Sequence, residues 1–270
     1  MQNTGHADLV QRPDGSWAIV FHGVRPRGTS PQFHVLGRET FAAEVTWADG
    51  WPQLAEWLTP TDDRAEVEEL AGSALPASWV SPRRFPGAVL TRGEGGWRLT
   101  AVDPDPASED LAFAGRRQQH LHCRACAVVD ASAGVGGLSV RLDARHHLDV
   151  QVAGDVVRAV AQVGDLRSLL GEVTVPAGDV VLEVRAVPAE GHFSSTALAP
   201  DWLLAGVVDR DGGFTELGRL DGRYLSTEVA GGMTGRLLGV WCSTGSIAVR
   251  SFTYSGADTR DRDDVPRHGA

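Results

Sequence analysis

The sequence predicts an all-β protein in which a small antiparallel sheet is followed by a larger β-sandwich. Apolar and polar residues alternate through the second part of the chain, as at residues 138–143, so each predicted strand has one apolar face. Turn-forming sequences such as Pro-Ala-Gly-Asp at residues 176–179 separate the alternating runs. No segment has the period of a long amphipathic helix. Two sheets that bury their apolar faces against each other satisfy this pattern.

Composition limits both the size of the core and the classes of function. The 270 residues are 42% hydrophobic and 22% charged, which is typical of a globular protein with one large or two modest domains. All 25 basic residues are arginine, so a Schiff-base lysine and a P-loop lysine are both excluded. The net charge of -10, without a basic stripe, argues against nucleic acid as a partner.

The cysteine count and the lack of a long apolar run bear on the cellular compartment. Cys123, Cys126 and Cys242 are an odd number in a chain too large to need disulfides, which indicates a reducing environment. No run approaches the roughly 18 apolar residues of a membrane span. The first residues lack the basic and apolar regions of a secretory signal. We therefore expect a cytoplasmic protein without membrane contact, unless a signal sequence was lost from a position ahead of Met1.

The first part of the chain, residues 1–58, predicts four short strands joined by turns. A Pro-Asp-Gly turn separates the first strand at residues 8–11 from the second at 17–21. A loop then precedes a third strand at residues 41–47, and an Ala-Asp-Gly turn leads to a fourth that starts at Trp51. We expect one four-stranded antiparallel sheet.

The rest of the chain divides into three stretches. Residues 59–77 are rich in Asp, Glu, Ala and Pro and predict a linker, with one short helical turn at residues 67–70. Residues 78–256 carry the alternating strands of the sandwich, at a length that suits a jelly roll. Residues 257–270 combine charged residues with few apolar ones and predict a disordered tail.

Several motifs of the first part occur together in one known family. They are Thr-Gly-His-Ala-Asp-Leu-Val-Gln at residues 4–11, Asp-Gly-Ser-Trp at 14–17, Gly-Val-Arg-Pro at 23–26, Leu-Gly-Arg-Glu-Thr-Phe at 36–41 and Asp-Gly-Trp-Pro at 49–52. In this order they resemble the last blade of the five-bladed β-propeller of glycoside hydrolase family 43, the β-xylosidases and α-L-arabinofuranosidases. The resemblance implies that this region is one incomplete propeller blade.

The second part is similar to the concanavalin A-like domain at the C-terminus of the same xylosidases. The matching sequences are Leu-Pro at residues 75–76, Trp-Val-Ser-Pro at 79–82, Phe-Ala-Gly-Arg-Arg-Gln-Gln-His at 113–120 and the stretch 221–235. The resemblance therefore implies a blade followed by a concanavalin A-like β-sandwich. A propeller blade normally has neighbours on both faces, so we expect this one to dock on the sandwich or pair with another chain. Exposure of its apolar surface is the costly alternative.

The resemblance also implies that the catalytic groups lie outside this chain. Family members hydrolyse glycosides with inversion, using an aspartate base, a second aspartate and a glutamate acid that all precede the last blade. Inversion needs two carboxyl groups roughly 6.5–9.5 Å apart, and Asp8 and Glu39 occupy non-catalytic positions of the family motifs. We assign no catalytic residue and expect no glycosidase turnover from this polypeptide alone.

Three residues correspond to substrate-site positions of the family. His6 matches a histidine near the propeller axis that helps to hold Ca²⁺ through water; the alternative is a histidine at an open sheet edge. Arg38 matches an arginine that points into the sugar subsite, and its alternative is an exposed or salt-bridged side chain. Met233 stands where the family usually has a phenylalanine, on a sandwich loop that walls the active site. Because methionine lacks an aromatic ring, we expect a buried core residue there.

A further cluster contains residue types that bind zinc. It consists of His120, His122, Cys123 and Cys126. The two cysteines are three positions apart, so on a strand they project to opposite faces and cannot share an ion without a bulge. We expect strand packing rather than a metal site.

The sequence therefore predicts the C-terminal portion of a glycosidase that acts on xylo- or arabino-oligosaccharides. An upstream polypeptide or a homo-oligomer would supply the remaining blades. The first alternative is a non-catalytic carbohydrate-binding module, which rests on analogy of fold. The second is an inert product of a decayed gene. Whether xylosides or arabinofuranosides are preferred depends mostly on residues that this chain does not contain.

Overall fold

The structure is a computed structural model that describes residues 1–28, 31–58, 64–93, 95–189 and 199–258. Over these residues the chain forms one four-stranded sheet and one 14-stranded network of strands. Helical structure in the same residues is limited to three short turns, Pro86–Ala88, Gly222–Leu225 and Thr227–Ala230. The all-β prediction is confirmed. Among the described residues, no helix has the length and apolar character that crossing a bilayer requires.

The four-stranded sheet, here called the blade, follows chain order and is antiparallel throughout. Its strands are β1 (Gln2–Gln11), β2 (Trp17–Val24), β3 (Glu39–Ala48) and β4 (Trp51–Trp57). Asp14 shapes the first turn, because its carboxylate accepts hydrogen bonds from the Ser16 N–H at 2.9 Å and the Ser16 hydroxyl at 2.7 Å. Asp49 and Gly50 make the last turn with φ of 51° and 79°, the left-handed pair that suits a tight hairpin.

The second part of the chain is a sandwich of two sheets. Its strands are β5 (Arg64–Glu69), β6 (Trp79–Val80), β7 (Leu90–Gly93), β8 (Gly96–Thr100), β9 (Ala112–Arg117), β10 (His122–Asp130), β11 (Gly134–Asp143), β12 (His146–Ala153), β13 (Val156–Val163), β14 (Leu166–Thr174), β15 (Asp179–Val187), β16 (Trp202–Val208), β17 (Phe214–Asp221) and β18 (Leu237–Ala257).

The last strand belongs to both sheets. The first half of β18 pairs with β9 and β11, and that sheet continues through β12 and β13 to β14. The second half pairs with β10 on one side and with β8 and β5 on the other, and its sheet continues through β15 and β16 to β17. Gly245 lies between the halves at φ 63°, where a Cβ would overlap the Ala133 carbonyl. The crossing therefore requires glycine.

One hydrophobic core fills the space between these sheets, and it confirms the predicted alternation. Leu138, Val140 and Leu142 of β11 face this core. From the opposite sheet come Leu182 and Val184, both fully buried. Each such side chain contributes about 1.5–3 kcal/mol by leaving water.

The interval predicted as a linker contains a strand instead of a helical turn. β5 pairs antiparallel with Phe252–Ala257. The predicted helical turn at residues 67–70 is therefore wrong. The edge of β18 offers backbone partners to this segment, and tertiary pairing overrides a weak local helix preference. Glu69 then accepts a hydrogen bond from Trp79 Nε1 at 3.0 Å. Residues 59–63 of the predicted linker lie outside the described residues.

The first two residues of the predicted disordered tail, Ala257 and Asp258, are part of the folded structure. Ala257 still belongs to β18. Asp258 accepts a hydrogen bond from the Leu121 N–H at 2.9 Å and forms an ion pair with Arg25 of the blade. Residues 259–270, the remainder of the predicted tail, lie outside the described residues.

The blade docks on the sandwich through one end and leaves its two faces open. Phe33, Val35 and Leu36, in the loop before β3, are buried with Leu121 of the sandwich packed against them. Several large apolar side chains on the rest of the blade are exposed, including Trp51 at 72% and Leu54 at 60%. The blade therefore docks on the sandwich, as expected, and also exposes apolar surface, which was the costly alternative.

Candidate functional site

The blade meets a loop of the sandwich, residues 226–236, here called the docking loop. Three backbone hydrogen bonds join the loop to the segment that precedes β3. The Arg38 N–H donates to the Met233 carbonyl at 3.2 Å. The Arg236 N–H donates to the Val35 carbonyl at 3.2 Å, and the Thr227 N–H donates to the His34 carbonyl at 3.3 Å. Two of the three predicted substrate-site residues, Arg38 and Met233, are thus adjacent.

Side chains reinforce this contact from both sides. Glu228 accepts a hydrogen bond from the His34 N–H at 2.8 Å, and its other oxygen lies 2.8 Å from His34 Nδ1. From the sandwich sheet, Arg117 Nη2 donates to the Leu36 carbonyl at 2.8 Å. The backbone that leads into Arg38 is therefore held by charged groups of the sandwich.

Two glycines allow the two backbones to approach each other. Gly37 adopts φ 66°, and a Cβ there would overlap the backbone nitrogen of Gly235. A Cβ on Gly235 would overlap the Leu36 carbonyl oxygen. These contacts give a physical reason for the glycines of the Leu-Gly-Arg motif and of the docking loop.

A fully buried ion pair anchors the docking loop to the sandwich. Arg236 binds Asp201 through both terminal nitrogens, at 2.6 and 2.9 Å, with both side chains at most 1% exposed. The same guanidinium donates to the carbonyl oxygens of Leu225 at 2.8 Å and Gly222 at 2.7 Å. Sequence reasoning missed this pair, because nothing in the sequence links two charged residues 35 positions apart.

Arg38 has an exposed side chain at the start of β3, next to a fixed ion pair. The carboxylate of its neighbour Glu39 accepts hydrogen bonds from Nε and Nη2 of Arg25, at 2.9 and 2.8 Å. Arg25 also donates to the Gln119 carbonyl at 2.8 Å, which ties the blade to the sandwich again. The guanidinium of Arg38 is thus presented to solvent from a rigid backbone.

Met233 is also exposed, at 58% of its surface. The expectation of a buried core methionine is therefore wrong. The docking loop turns at Gly231 and Gly232, with φ of 77° and 76°, and this reversal carries Met233 away from the core. The side chain is available to a ligand beside Arg38.

His6 lies on β1 at the same end of the blade as Arg38. Its ring centroid is 5.0 Å from that of His22 on β2. In the strand register His22 is opposite Thr40, two residues after Arg38. The side chain of His6 is exposed, and its backbone has φ 48°.

The residues around His6 do not by themselves form a calcium site. Ca²⁺ prefers oxygen ligands, whereas His6 and His22 offer ring nitrogens. No group of three or more His, Cys, Asp and Glu that could hold a metal occurs in the described part of the chain. Calcium binding through His6 therefore remains a prediction that needs ligands from elsewhere.

The cysteines of the suspected zinc cluster lie on opposite faces of β10. Cys123 belongs to the core between the sheets, whereas Cys126 is beside Glu183 on the outer face. Burial raises the pKa of Cys123 to about 12 and that of Cys126 to about 11, so both thiols keep their protons at neutral pH. This geometry agrees with the expectation of strand packing.

Both parts of the chain match known protein families. The family described as the β-xylosidase C-terminal concanavalin A-like domain matches residues 68–252. The glycosyl hydrolases family 43 matches residues 1–52.

One relative matches most of the chain, and another matches about half of it. A non-reducing end α-L-arabinofuranosidase of Bacteroides ovatus, BoGH43B, is 31% identical over 268 residues, which is 90% of this chain and 48% of the relative. Xylosidase/arabinosidase 43B of Humicola insolens is 30% identical over 149 residues, 49% of this chain and 27% of the relative. The chain spans about half the length of the first of these relatives.

Solved structures show the same arrangement. The structure titled Bacteroides ovatus xyloglucan PUL GH43B has a TM-score of 0.72 and 25% identity, covering 93% of this chain and 53% of that one. A xylan β-1,4-xylosidase of Bacillus halodurans has a TM-score of 0.69 and 17% identity, with coverage of 93% and 53%. At that identity the second likeness shows the fold alone.

Proposed function

The chain belongs to glycosyl hydrolase family 43, and from this premise we propose that it completes the substrate pocket of a glycosidase whose catalytic carboxylates come from other propeller blades. One observation carries the proposal: the backbone of Arg38 is fixed against the Met233 loop. An arginine expected in a sugar subsite and a methionine at the position where the family has a wall residue are thereby adjacent, although 195 positions separate them in the sequence. The comparisons give the non-catalytic alternative no better support.

The open faces of the blade are suited to neighbouring blades. On one face, a groove of about 380 Å³ is lined by Ile19, Phe21, Leu54 and Trp57. On the other face Val10 and Val20 are 48% and 36% exposed. Blades of a propeller pack on both faces, so partners of the same kind would bury this surface.

In the proposed pocket this chain binds and positions the sugar, while the bond is broken elsewhere. Arg38 can donate its fixed fork of N–H groups to sugar hydroxyls. Met233 offers an apolar surface beside it. An acid and a base roughly 6.5–9.5 Å apart, on other blades, would act on the glycosidic bond. Xylo- and arabino-oligosaccharides are the proposed substrates, which the names of the relatives support.

Reconstitution tests this function. The chain would be mixed with a polypeptide that carries the remaining blades of the Bacteroides ovatus relative, and cleavage of aryl β-xyloside and aryl α-L-arabinofuranoside would be followed. We expect turnover only in the mixture. The Arg38→Ala variant should lose about 10²-fold in kcat/KM, because a charged contact to substrate is removed.

The matched control is Arg219→Ala, since Arg219 is an exposed arginine of the sandwich paired with Glu216. Its kcat/KM should stay within twofold of the unmodified mixture. The proposal fails if a stable complex forms without turnover, or if Arg38→Ala cleaves as fast as the control. Calcium dependence remains a prediction that the same preparation can address, and cytoplasmic location also remains a prediction.

A further inference from the structure

A second depression lies on the sandwich, beside the docking loop but separate from Arg38. It has a volume of about 650 Å³ and is here called the sandwich cleft. Its floor contains Leu111, Phe113 and Leu237, which pack with Trp241 on the side of the sheet that faces away from the main core. The β11–β12 turn and residues 80–83 form its walls. The cleft therefore has an apolar base within a size range typical of small-molecule sites.

The charged residues of the sandwich cleft are mainly arginines. Arg83, Arg117, Arg141 and Arg145 line it, against the carboxylates of Glu109 and Asp143. Two of these arginines have acidic partners at the rim: Arg83 pairs with Glu109, and Arg145 pairs with Asp165. The other two lie deeper. In a protein with a net charge of -10, this is a local excess of positive charge.

The two deeper arginines donate hydrogen bonds to backbone carbonyls. The carboxylates of Asp149, Asp143 and Asp105 also attract Arg141 electrostatically. Arg117 donates to the Leu36 carbonyl at 2.8 Å. Arg141 donates to the Pro106 carbonyl at 2.9 Å, and the nearest Asp149 oxygen is 4.0 Å away. Neither arginine is neutralised by a short contact with a carboxylate among the residues that the structure describes.

Two buried polar atoms at the sandwich cleft have no hydrogen-bond partner within the described part of the chain. They are Arg141 Nε and the Ser81 hydroxyl oxygen. The Arg141 residue is only 3% exposed, and its guanidinium carbon lies 5.7 Å from the centre of the Phe113 ring. Buried donors left without acceptors are unfavourable, so an acceptor group that enters the cleft would relieve this state.

We propose that the sandwich cleft binds the carboxylate of an acidic saccharide, a uronosyl group attached to an oligosaccharide. Guanidinium groups bind a planar carboxylate through paired N–H donors, which is stronger than a neutral hydrogen bond. The partly exposed apolar residues of the lining, Val80, Pro82 and Leu237, suit the C–H face of a sugar ring. That the ligand is a saccharide rests on the proposed function, whereas the requirement for a carboxylate rests on the two arginines.

The docking loop forms another wall of the sandwich cleft, through Ala230, Thr234 and Gly235. A ligand in the cleft would therefore contact the loop that carries Met233. Acidic side groups of a substrate chain could be held there while a neutral part lies near Arg38.

The test measures binding to the 270-residue chain without any other polypeptide. The probes are xylotriose that carries one glucuronosyl group, unsubstituted xylotriose, and benzoate, each titrated by calorimetry. We expect the acidic saccharide to bind at least about 10-fold more tightly than either other probe, as expected for a charge-assisted contact combined with a sugar surface. Arg141→Gln should reduce its affinity about 10-fold or more.

A blocking variant keeps the test valid if Arg141→Gln fails to fold. Val80 is 39% exposed at the mouth of the cleft, so Val80→Trp should fill it and abolish binding while the fold is retained. Val102→Trp is the matched control, because Val102 is 54% exposed and is not among the residues that line the cleft.

The inference is wrong if unsubstituted xylotriose or benzoate binds as tightly as the acidic saccharide, if none of the probes binds, or if Val80→Trp binds like the control. Because no turnover is measured and no other blades are present, these results are independent of the reconstitution assay. If the binding test fails, the proposed glycosidase function is not contradicted. If reconstitution fails, the binding test still shows whether the sandwich cleft requires a carboxylate.

Discussion

At the scale of single residues, Asp201 and Arg236 show how the docking loop keeps its shape. Both side chains are buried, and Arg236 also donates hydrogen bonds to two carbonyl oxygens. Replacing both partners of such a buried pair with apolar residues changes the free energy of unfolding little. Removing only one partner leaves the other as a buried charge without a counterion. The stability of the protein should therefore be more sensitive to removal of one partner than to replacement of both.

Asp201→Ala should therefore lower the free energy of unfolding by about 3–5 kcal/mol, measured by urea denaturation. The control is Glu216→Ala, which removes the carboxylate from the exposed Arg219 pair and should cost about 1 kcal/mol or less. Similar losses in the two variants would show that the Asp201 pair is not buried as described.

Buried thiols and a buried phenol predict how stability depends on pH. Burial raises the pKa of Cys123 to about 12 and those of Cys126 and Cys242 to about 11, from an ordinary value of 9.0. Burial also raises the pKa of Tyr254 above its ordinary value of 10.0. Above pH 9 the unfolded chain releases these protons while the folded protein retains them. The stabilisation is complete below pH 9 and is lost as the pH rises toward the folded values.

The free energy of unfolding should thus fall between pH 9 and 11, by at most about 1.4 kcal/mol per pH unit for each thiol. Urea titrations at several pH values measure this slope. A Cys126→Ala variant, which lacks one of the three thiols, should show a shallower fall. A slope that is unchanged in this variant, or stability that rises over the interval, would contradict the assignment.

At the scale of elements, the contact between the segment before β3 and the docking loop depends on close backbone packing. Gly235 has no room for a side chain, because a Cβ would overlap the Leu36 carbonyl. An added methyl group would have to separate the two backbones and lengthen their hydrogen bonds. The position of Arg38 relative to Met233 would change with them.

Gly235→Ala should destabilise the protein by about 1–3 kcal/mol, the usual effect of overpacking. Hydrogen exchange should become faster in the peptide that contains Arg38, whose N–H bonds to Met233. Gly72→Ala serves as the control, because a Cβ there meets no atom closer than 4.0 Å. If the Arg38 peptide exchanges alike in both variants, the docking loop does not hold this segment.

At the scale of the whole molecule, the sandwich is closed around its core whereas the blade is open. Trp51, Leu54 and Trp57 are 72%, 60% and 50% exposed on a single short strand. Exposed apolar surface of this kind is characteristic of interfaces and promotes association when it is uncovered. The isolated chain is therefore expected to self-associate through the blade rather than through the sandwich.

The 270-residue chain should associate in a concentration-dependent manner in sedimentation experiments and should bind the dye ANS. Leu54→Gln combined with Trp57→Gln should reduce both effects, because it removes apolar surface from the blade. Phe85→Gln is the control, since Phe85 is 88% exposed but belongs to the sandwich. Equal reductions in the two variants would show that the blade is not the adhesive surface.

Much of the fold follows from local pattern, and the exceptions have a common cause. The alternation at residues 138–143 correctly predicted which side chains of β11 face the core. The segment around Val67 was wrongly predicted as helical, because its strand exists only where the edge of β18 is available to pair with it. Met233 was wrongly expected in the core, since its exposure depends on how the docking loop is anchored through Arg236.

By itself the sequence determined the all-β class, the strands of the blade and the motifs that mark the family, because period-two alternation and turn residues act over a few positions. Only the tertiary structure decided that Arg38 adjoins Met233, that Asp201 anchors Arg236, and that Arg117 and Arg141 share a cleft with Phe113. These are contacts between residues far apart in the chain. They depend on how whole sheets pack, and no local pattern of residues encodes that packing.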